Sequence, residues 1–272
     1  MYLGVDVGGT KTLLAIFNEN GQILKQVKFP TPPKYEVFLA QLKEALEQFK
    51  QYKILDCCCA IPGKVDRKNG VGVVYGNLTW HNSPIKNDIS RQLNGINVLV
   101  ENDSNLAGLY EASVFHNEYK KVLYLTIGTG IGDGIIIDGM IDPNFADSEA
   151  GQMLLDYEGK LTRWEDLASG RALVNRYGKK GSEIDDPKVW QQFARDLSLG
   201  LVELIAVMQP DVIIIGGGIG THFNKYGEYL RAELKRHQGP MVPIPPVIQA
   251  NKPEEAVIYG CYTFIRQSLG VN

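Results

Sequence analysis

Apolar residues recur along this chain in two rhythms. Short apolar runs predict strands at Tyr2–Val7, Thr12–Phe17, Gln22–Phe29, Ile54–Ile61, Asn97–Val100 and Val212–Ile215. Helical spacing appears at Phe38, Leu39, Leu42, Ala45, Leu46 and Phe49, and again at Ile85, Ile89 and Leu93. A longer apolar face runs from Trp190 through Phe193, Leu197, Leu201 and Ile205 to Met208, where Pro210 stops it. A last helix is predicted near Glu254–Leu269, packing back onto the first part, and the polar stretch Lys179–Pro187 predicts an exposed loop. Strands alternating with helices imply an α/β fold with a mostly parallel sheet under helical cover.

Two of the predicted strands end in matched glycine turns. Tyr2–Val7 leads into Gly8-Gly9-Thr10-Lys11-Thr12, and Tyr124–Ile127 leads into Gly128-Thr129-Gly130. Each turn is followed by a second apolar strand that closes at a reverse turn, Asn18–Gly21 in one case and Asp138-Gly139 in the other. Glycine reaches positive φ and has no side chain to hold a ligand away. Successive amides in such turns form an anion-binding concavity. Thr10, Thr12, Thr126 and Thr129 add hydroxyls, and Lys11 adds a charge that either meets the anion or lies solvated. Asp6 beside a phosphate calls for an intervening cation, which suits Mg²⁺ held through water. A single such unit reads as an ordinary hairpin; the duplication points to two related lobes gripping one polyphosphate.

Composition narrows the classes. The 272 residues fit two modest domains or one large one, carry 44% hydrophobic side chains, enough for a sizeable core, and have a net charge of −3. That balance, with a pI near 5.9, argues against nucleic acid as a partner. No apolar run is long enough to span a membrane, and the N-terminus enters a strand without a basic leader, so the expectation is a cytoplasmic protein. Cys57, Cys58 and Cys59 are consecutive in a strand-like run, with Cys261 far away. This spacing fits neither a disulfide framework nor a CxxC metal site, and they read as small buried hydrophobes. His81, His116, His222 and His237 are scattered and receive no role.

Between the turns lies Glu101-Asn102-Asp103-Ser104-Asn105. An apolar strand ends at Glu101, and a helix starts near Ser104, which is placed to cap it. Asn102 and Asp103 then sit at the end of a strand, where open α/β sheets bind ligands. A carboxylate there either accepts a proton from a substrate hydroxyl or caps the helix.

On these residues the chain resembles the ROK family of repressors, open reading frames and sugar kinases. Asp6-Val7-Gly8-Gly9-Thr10-Lys11 resembles the first phosphate motif, and Ile61–Asp66 the GxPGxVD loop, with Ala60 at its first glycine. Gly76–Trp80 resembles the sugar loop, Glu101–Asn105 the ENDAN segment, Thr126–Gly132 the second phosphate motif, and Ile215–Ile219 the adenosine-binding glycines. The resemblance implies a two-lobed actin-like (ribonuclease H-like) fold with an interlobe cleft. A small lobe of 1–115 plus 254–272 and a larger lobe of 116–253 are expected. It implies transfer of the ATP γ-phosphoryl group to a sugar hydroxyl, O6 of glucose or a related hexose, with Asp103 as general base. Gly63, Asn77, Asn102, Glu149, Gln152 and Glu165 would contact sugar. Asp6, Gly8, Gly9, Thr10, Lys11, Thr129, Gly130, Gly217 and Gly218 would hold nucleotide and Mg²⁺. A homodimer or homotetramer is expected by the same analogy.

The chain departs from the family at its zinc cluster. Gln152 stands for the histidine of the ExGH motif, and Asp156, Glu158 and Arg163 stand near the cysteine positions. Arg offers no lone pair and zinc prefers thiolate and imidazole, so no structural zinc is expected. An Asp156/Glu158–Arg163 ion pair is the expected brace in its place. An N-acetylmannosamine or fructose kinase remains an alternative, as do polyphosphate as donor and a non-catalytic sugar-binding regulator. The regulators carry an N-terminal helix-turn-helix domain, and this sequence starts at the phosphate strand. A dinucleotide oxidoreductase fits poorly, because the first glycine turn opens a hairpin and not a helix.

Overall fold

A computed structural model describes residues 1–116 and 118–271. The chain divides into two compact units, Met1–Tyr110 with Glu255–Asn272, and Glu111–Glu254. The first unit contains β1 (Tyr2–Val7), β2 (Lys11–Phe17), β3 (Ile23–Pro30), α1 (Tyr35–Glu47), β4 (Asp56–Ile61), β5 (Lys64–Asp66), β6 (Val71–Tyr75), β7 (Leu78–Ser83), α2 (Ile85–Gln92) and β8 (Asn97–Asn102). The next helix, α3 (Asp103–Ser113), begins there and ends in the second unit. The second unit contains β9 (Lys121–Ile127), β10 (Ile131–Ile137), β11 (Met140–Ile141), β12 (Leu154–Tyr157), β13 (Lys160–Arg163), α4 (Trp164–Leu167) and α5 (Gly170–Tyr177). It continues with α6 (Pro187–Met208), β14 (Val212–Gly216), α7 (Gly217–Gly220), α8 (Phe223–Lys235) and β15 (Val247–Gln249), and the chain returns to the first unit as α9 (Ala256–Ser268).

Each unit is built on a five-stranded sheet, and the two sheets repeat one plan. The first runs β3-β2-β1-β4-β8 and the second β11-β10-β9-β14-β15. In both, the glycine-turn hairpin is antiparallel (β1 with β2, β9 with β10), and the strands beyond it are parallel. The two glycine turns therefore occupy equivalent places, at the C-terminal end of the central strand of each sheet. The predicted strands all form, with ends that shift by at most two residues.

Side-chain alternation explains the cover of the first sheet. Leu3, Val5 and Val7 point into a core with Phe38, Leu42, Ile85 and Ile89 from α1 and α2. Gly4 faces the opposite side, where a methyl group at its position would stand 2.9 Å from Ile258 and 3.2 Å from Cys261 of α9. The three consecutive cysteines follow the same rule. Cys57 and Cys59 join the α1/α2 core, while Cys58 faces Cys261. All four thiols are free and buried.

In the second unit Asp186 caps α6, accepting the Lys188 amide at 2.9 Å, and Pro187 opens it. Gln209 closes α6 in a left-handed conformation, φ 44°. The expected exposed loop at Lys179–Pro187 forms, with every residue but Gly181 and Ile184 exposed. It makes a short 3₁₀ turn at Gly181–Glu183, and Ile184 is buried in the core. Ile184 is the lone aliphatic side chain of that polar run, and its carbonyl accepts from Trp190 Nε1 (3.1 Å) and Lys225 Nζ (2.8 Å). No helix among the described residues is long and apolar enough to cross a membrane.

Candidate active site

Parallel register gathers one set of polar residues in the first unit. Asp6 on β1 lies level with Ala60 on β4, which lies level with Glu101 on β8, and Ile61 with Asn102. The C-terminal ends of these strands therefore deliver Asp6, the Pro62-Gly63 loop and Asn102-Asp103 to one edge, where open α/β sheets bind ligands. The Gly8–Thr10 turn closes through the Gly8 amide to the Lys11 carbonyl at 3.0 Å. Thr12 does not offer its hydroxyl to a ligand as expected. It is buried and shares a hydrogen bond with Thr31 (2.9 Å), which donates to the Gly8 carbonyl (2.7 Å). Thr12 braces the turn, leaving Thr10 and Lys11 exposed.

The residues around Asn102 are held by a chain of backbone and carboxylate contacts. Gly9 lies against Asn77, with 3.8 Å from a methyl at Gly9 to the Asn77 Cβ. Gly63 has φ +90°, and a methyl there would stand 2.4 Å from the Val74 carbonyl oxygen, so only glycine fits. Its carbonyl accepts from Asn102 Nδ2 at 2.9 Å. Asn102 Oδ1 accepts the amides of Ser104 (2.8 Å) and Asn105 (3.1 Å). Asn102, and not Ser104, is thus the cap of α3, and one Nδ2 proton remains for a ligand. Trp80 of the sugar-loop resemblance is buried against Phe38, Tyr35 and Tyr75 and serves the core.

Glu101 is the anchor beneath Asn102. It is 3% exposed and receives a two-pronged grip from Arg67, Nε at 2.7 Å and Nη2 at 2.6 Å. The same carboxylate accepts the Asn102 amide (2.7 Å) and Asn105 Nδ2 (2.9 Å). Arg67 escapes sequence reading because it lies 34 positions away from its partner on a separate loop.

Two half-buried carboxylates face the edge. Burial first, and then the charge of Asp103, push the Asp6 carboxyl up to about 7, against the pull of Lys11 and Lys28. Burial pushes Asp103 up to about 6, opposed by hydrogen bonds from the Ser104 amide and hydroxyl. Two raised acids in mutual repulsion suit a divalent cation, and Mg²⁺ takes one or two carboxylates plus phosphate oxygens. Among the described residues no group of three or more His, Cys, Asp or Glu side chains could hold a metal ion, so Asp6 offers a carboxylate only, and a Mg²⁺ there would take its other ligands from phosphate oxygens and water.

The second unit holds the other candidates. In the Gly128–Gly130 turn the Gly128 amide donates to the Gly130 carbonyl at 3.0 Å, as Gly8 does to Lys11. The start of α5 is bonded to this turn, Gly170 to the Gly128 carbonyl (2.7 Å) and Arg171 to that of Thr129 (3.4 Å). Ser169 caps α5, its Oγ accepting the Ala172 amide. Beside it opens a cavity of about 720 Å³, lined among others by Thr129, Arg171, Lys180, Gly218, Ile219 and His222. Gly217 has φ +78°, and a methyl there would meet the Ile127 amide at 2.6 Å. His222, given no role from sequence, is thus a cavity residue.

Gln152 and Glu165 are brought together, Gln152 Nε2 donating to Glu165 Oε1 at 3.0 Å. Arg171 Nη2 donates to the same oxygen at 3.0 Å. Glu149 lies exposed at the start of the Ala150–Gln152 turn. Asp133, on β10, secures that loop by accepting the Ser148 hydroxyl and the Ala150 amide (2.7 Å). At the zinc-cluster positions, Asp156 accepts the Gly159 amide at 3.0 Å on the β12–β13 hairpin. The expected Asp156/Glu158–Arg163 ion pair is absent among the described residues. Asp156 sits opposite Leu161, and Arg163 opposite Leu154. These donors do not suit zinc.

The chain matches the ROK family over residues 2–268. It is 26% identical to a glucokinase of Streptomyces coelicolor, with 97% of each chain covered. It is 30% identical to a putative fructokinase of Bacillus subtilis, over 79% of this chain and 76% of the relative. Among solved structures it superposes on a ROK glucokinase from Streptomyces griseus in complex with glucose and AMPPNP, with a TM-score of 0.84 and 26% identity. That alignment covers 98% of this chain and 99% of the other. With matched turns, a repeated sheet plan and a family match over nearly its whole length, the chain belongs to the ROK family and has its actin-like α/β fold.

Proposed function

We propose that this ROK protein, an ATP-dependent sugar kinase, phosphorylates a hexose at O6, glucose first and fructose or N-acetylmannosamine next. Asp103 is the general base in this reading. The observation that carries it is Asp103 at the shared end of β1, β4 and β8, beside a fixed Asn102, with its carboxyl pushed up to about 6. A base works best when its pKa lies near the operating pH, and such catalysis contributes about 10²–10⁴-fold.

The residues divide the work as follows. Asn102 and Asn77 hold sugar hydroxyls, and the Gly63 carbonyl fixes Asn102. Gln152, Glu149 and Glu165 supply further hydroxyl contacts. The Gly8–Thr10 and Thr129–Gly130 turns and Lys11 hold phosphates, and the cavity beside Gly217 and Gly218 takes the nucleoside. Mg²⁺ held by Asp6, directly or through water, supplies charge neutralisation for the phosphates. Phosphoryl transfer depends chiefly on positioning and electrostatics, which this set of amides and carboxylates supplies. A fully protonated Asp103 cannot accept the proton, so kcat/KM falls as pH drops below about 6.

Release of ADP, coupled to a spectrophotometric readout, tests the reading across glucose, fructose, N-acetylmannosamine and N-acetylglucosamine, with ATP and polyphosphate as donors. Turnover on glucose with ATP is expected. Absence of turnover on every sugar, together with retained sugar binding, would make the chain a sensor.

A further inference from the structure

Glu165 presents a difficulty that the reading above leaves open. Its Oε1 accepts from Gln152 and Arg171, but its Oε2 is turned to the phosphate turn: a methyl at Gly130 would stand 2.3 Å from it. A carboxylate oxygen thus lies against the Gly130 position of a turn assigned to an anion, and an uncompensated one would repel phosphate. Arg171 is the cation placed at this corner. Its guanidinium lies 3.0 Å from Glu165 and 3.7 Å from Asp166, its amide is bonded to the Thr129 carbonyl, and its side chain lines the nucleotide cavity.

We propose that Arg171 is a charge-balancing positioning residue, which lets the sugar-side carboxylate Glu165 and the phosphate turn share one corner of the second unit. The inference rests on the kinase reading for its assignment of the turn to phosphate. Arg171 holds the Glu165 carboxylate beside Gln152 and cancels its field where the nucleotide's charge arrives. Loss of Arg171 exposes the phosphate to Glu165, and loss of Glu165 as well removes the reason for Arg171.

Calorimetric titration with ADP tests this without sugar or turnover. Arg171→Met weakens ADP binding about tenfold or more. Arg171→Lys keeps the charge and stays within about threefold of wild type, and Glu165→Gln binds ADP at least as well as wild type. The double variant Arg171→Met/Glu165→Gln returns to within about threefold of wild type. A double variant as weak as Arg171→Met overturns the proposal, since a merely structural or direct phosphate-binding arginine would not be rescued. Lysine behaving like methionine also overturns it, and thermal unfolding of each variant identifies one that fails to fold. A wild-type protein that binds ADP but phosphorylates no sugar would instead overturn the kinase reading and leave this pattern intact.

Discussion

Asp6→Asn should stabilise the protein while abolishing its turnover. The Asp6 carboxyl is pushed from 3.8 up to about 7, with burial the largest cause and the Asp103 charge the next. The folded state therefore binds a proton that the unfolded state releases across that interval. Stability falls as pH rises from about 4 to about 7 and is flat above, because the folded state must then carry the charge. At 1.36 kcal/mol per tenfold in proton affinity, the upper bound is about 4 kcal/mol. Asp6 is half-buried and feels Lys11 and Lys28, so screening reduces this to on the order of 1–2 kcal/mol. Asparagine has the same shape and no charge. For a chain of this size the gain at pH 8 corresponds to a rise in Tm of about 2–8 °C. At pH 3, below the unfolded carboxyl's 3.8, Asp6 is protonated in both states, and the two proteins should melt together within about 1 °C. Differential scanning fluorimetry at both values, with turnover at pH 8, checks the claim. An equal shift at the two pH values, or a destabilised variant at pH 8, would refute the argument that Asp6 is held charged at a cost.

Other consequences follow from packing. Gly63→Ala places a methyl 2.4 Å from the Val74 carbonyl at φ +90°, and should cost about 1–3 kcal/mol in urea unfolding and raise the sugar KM. Arg67→Met leaves the buried Glu101 without its guanidinium and should cost about 3–5 kcal/mol; Arg67→Met/Glu101→Gln should recover part of that loss. kcat/KM for sugar should fall about tenfold for each pH unit below about 6, and a flat profile down to pH 5 would remove Asp103 as the titrating group.

Much of this fold is legible in the sequence where burial is complete. The runs at Leu3–Val7, Cys57–Ile61 and Val212–Ile215 are apolar because both faces of a parallel strand are covered, so their positions stand out. The small sheet of β5, β6 and β7 does not, since its strands are half-exposed and carry register shifts at Lys64/Val65 and Val74/Tyr75. Of the site, the glycine turns and Asp103 were visible as local patterns. Asn102 as the cap was not, because Asn102, Asp103 and Ser104 are all capping residue types and only geometry separates them. Arg67, Asp133 and Arg171 act through partners on other loops or elements, at separations of 34, 15 and 6 residues, and no local pattern marks them. The Lys179–Pro187 segment is the exposed loop its polarity predicts, and only its lone aliphatic residue, Ile184, reaches the core.

Asp103→Asn tests the role of Asp103 as general base most directly. Sugar binding by calorimetry should stay within about threefold of wild type, because asparagine keeps the shape and the Asn102 contacts are untouched. Turnover should drop by about 10²–10⁴-fold at pH 8. Turnover within a few-fold of wild type, with sugar binding equally intact, would show that Asp103 takes no proton.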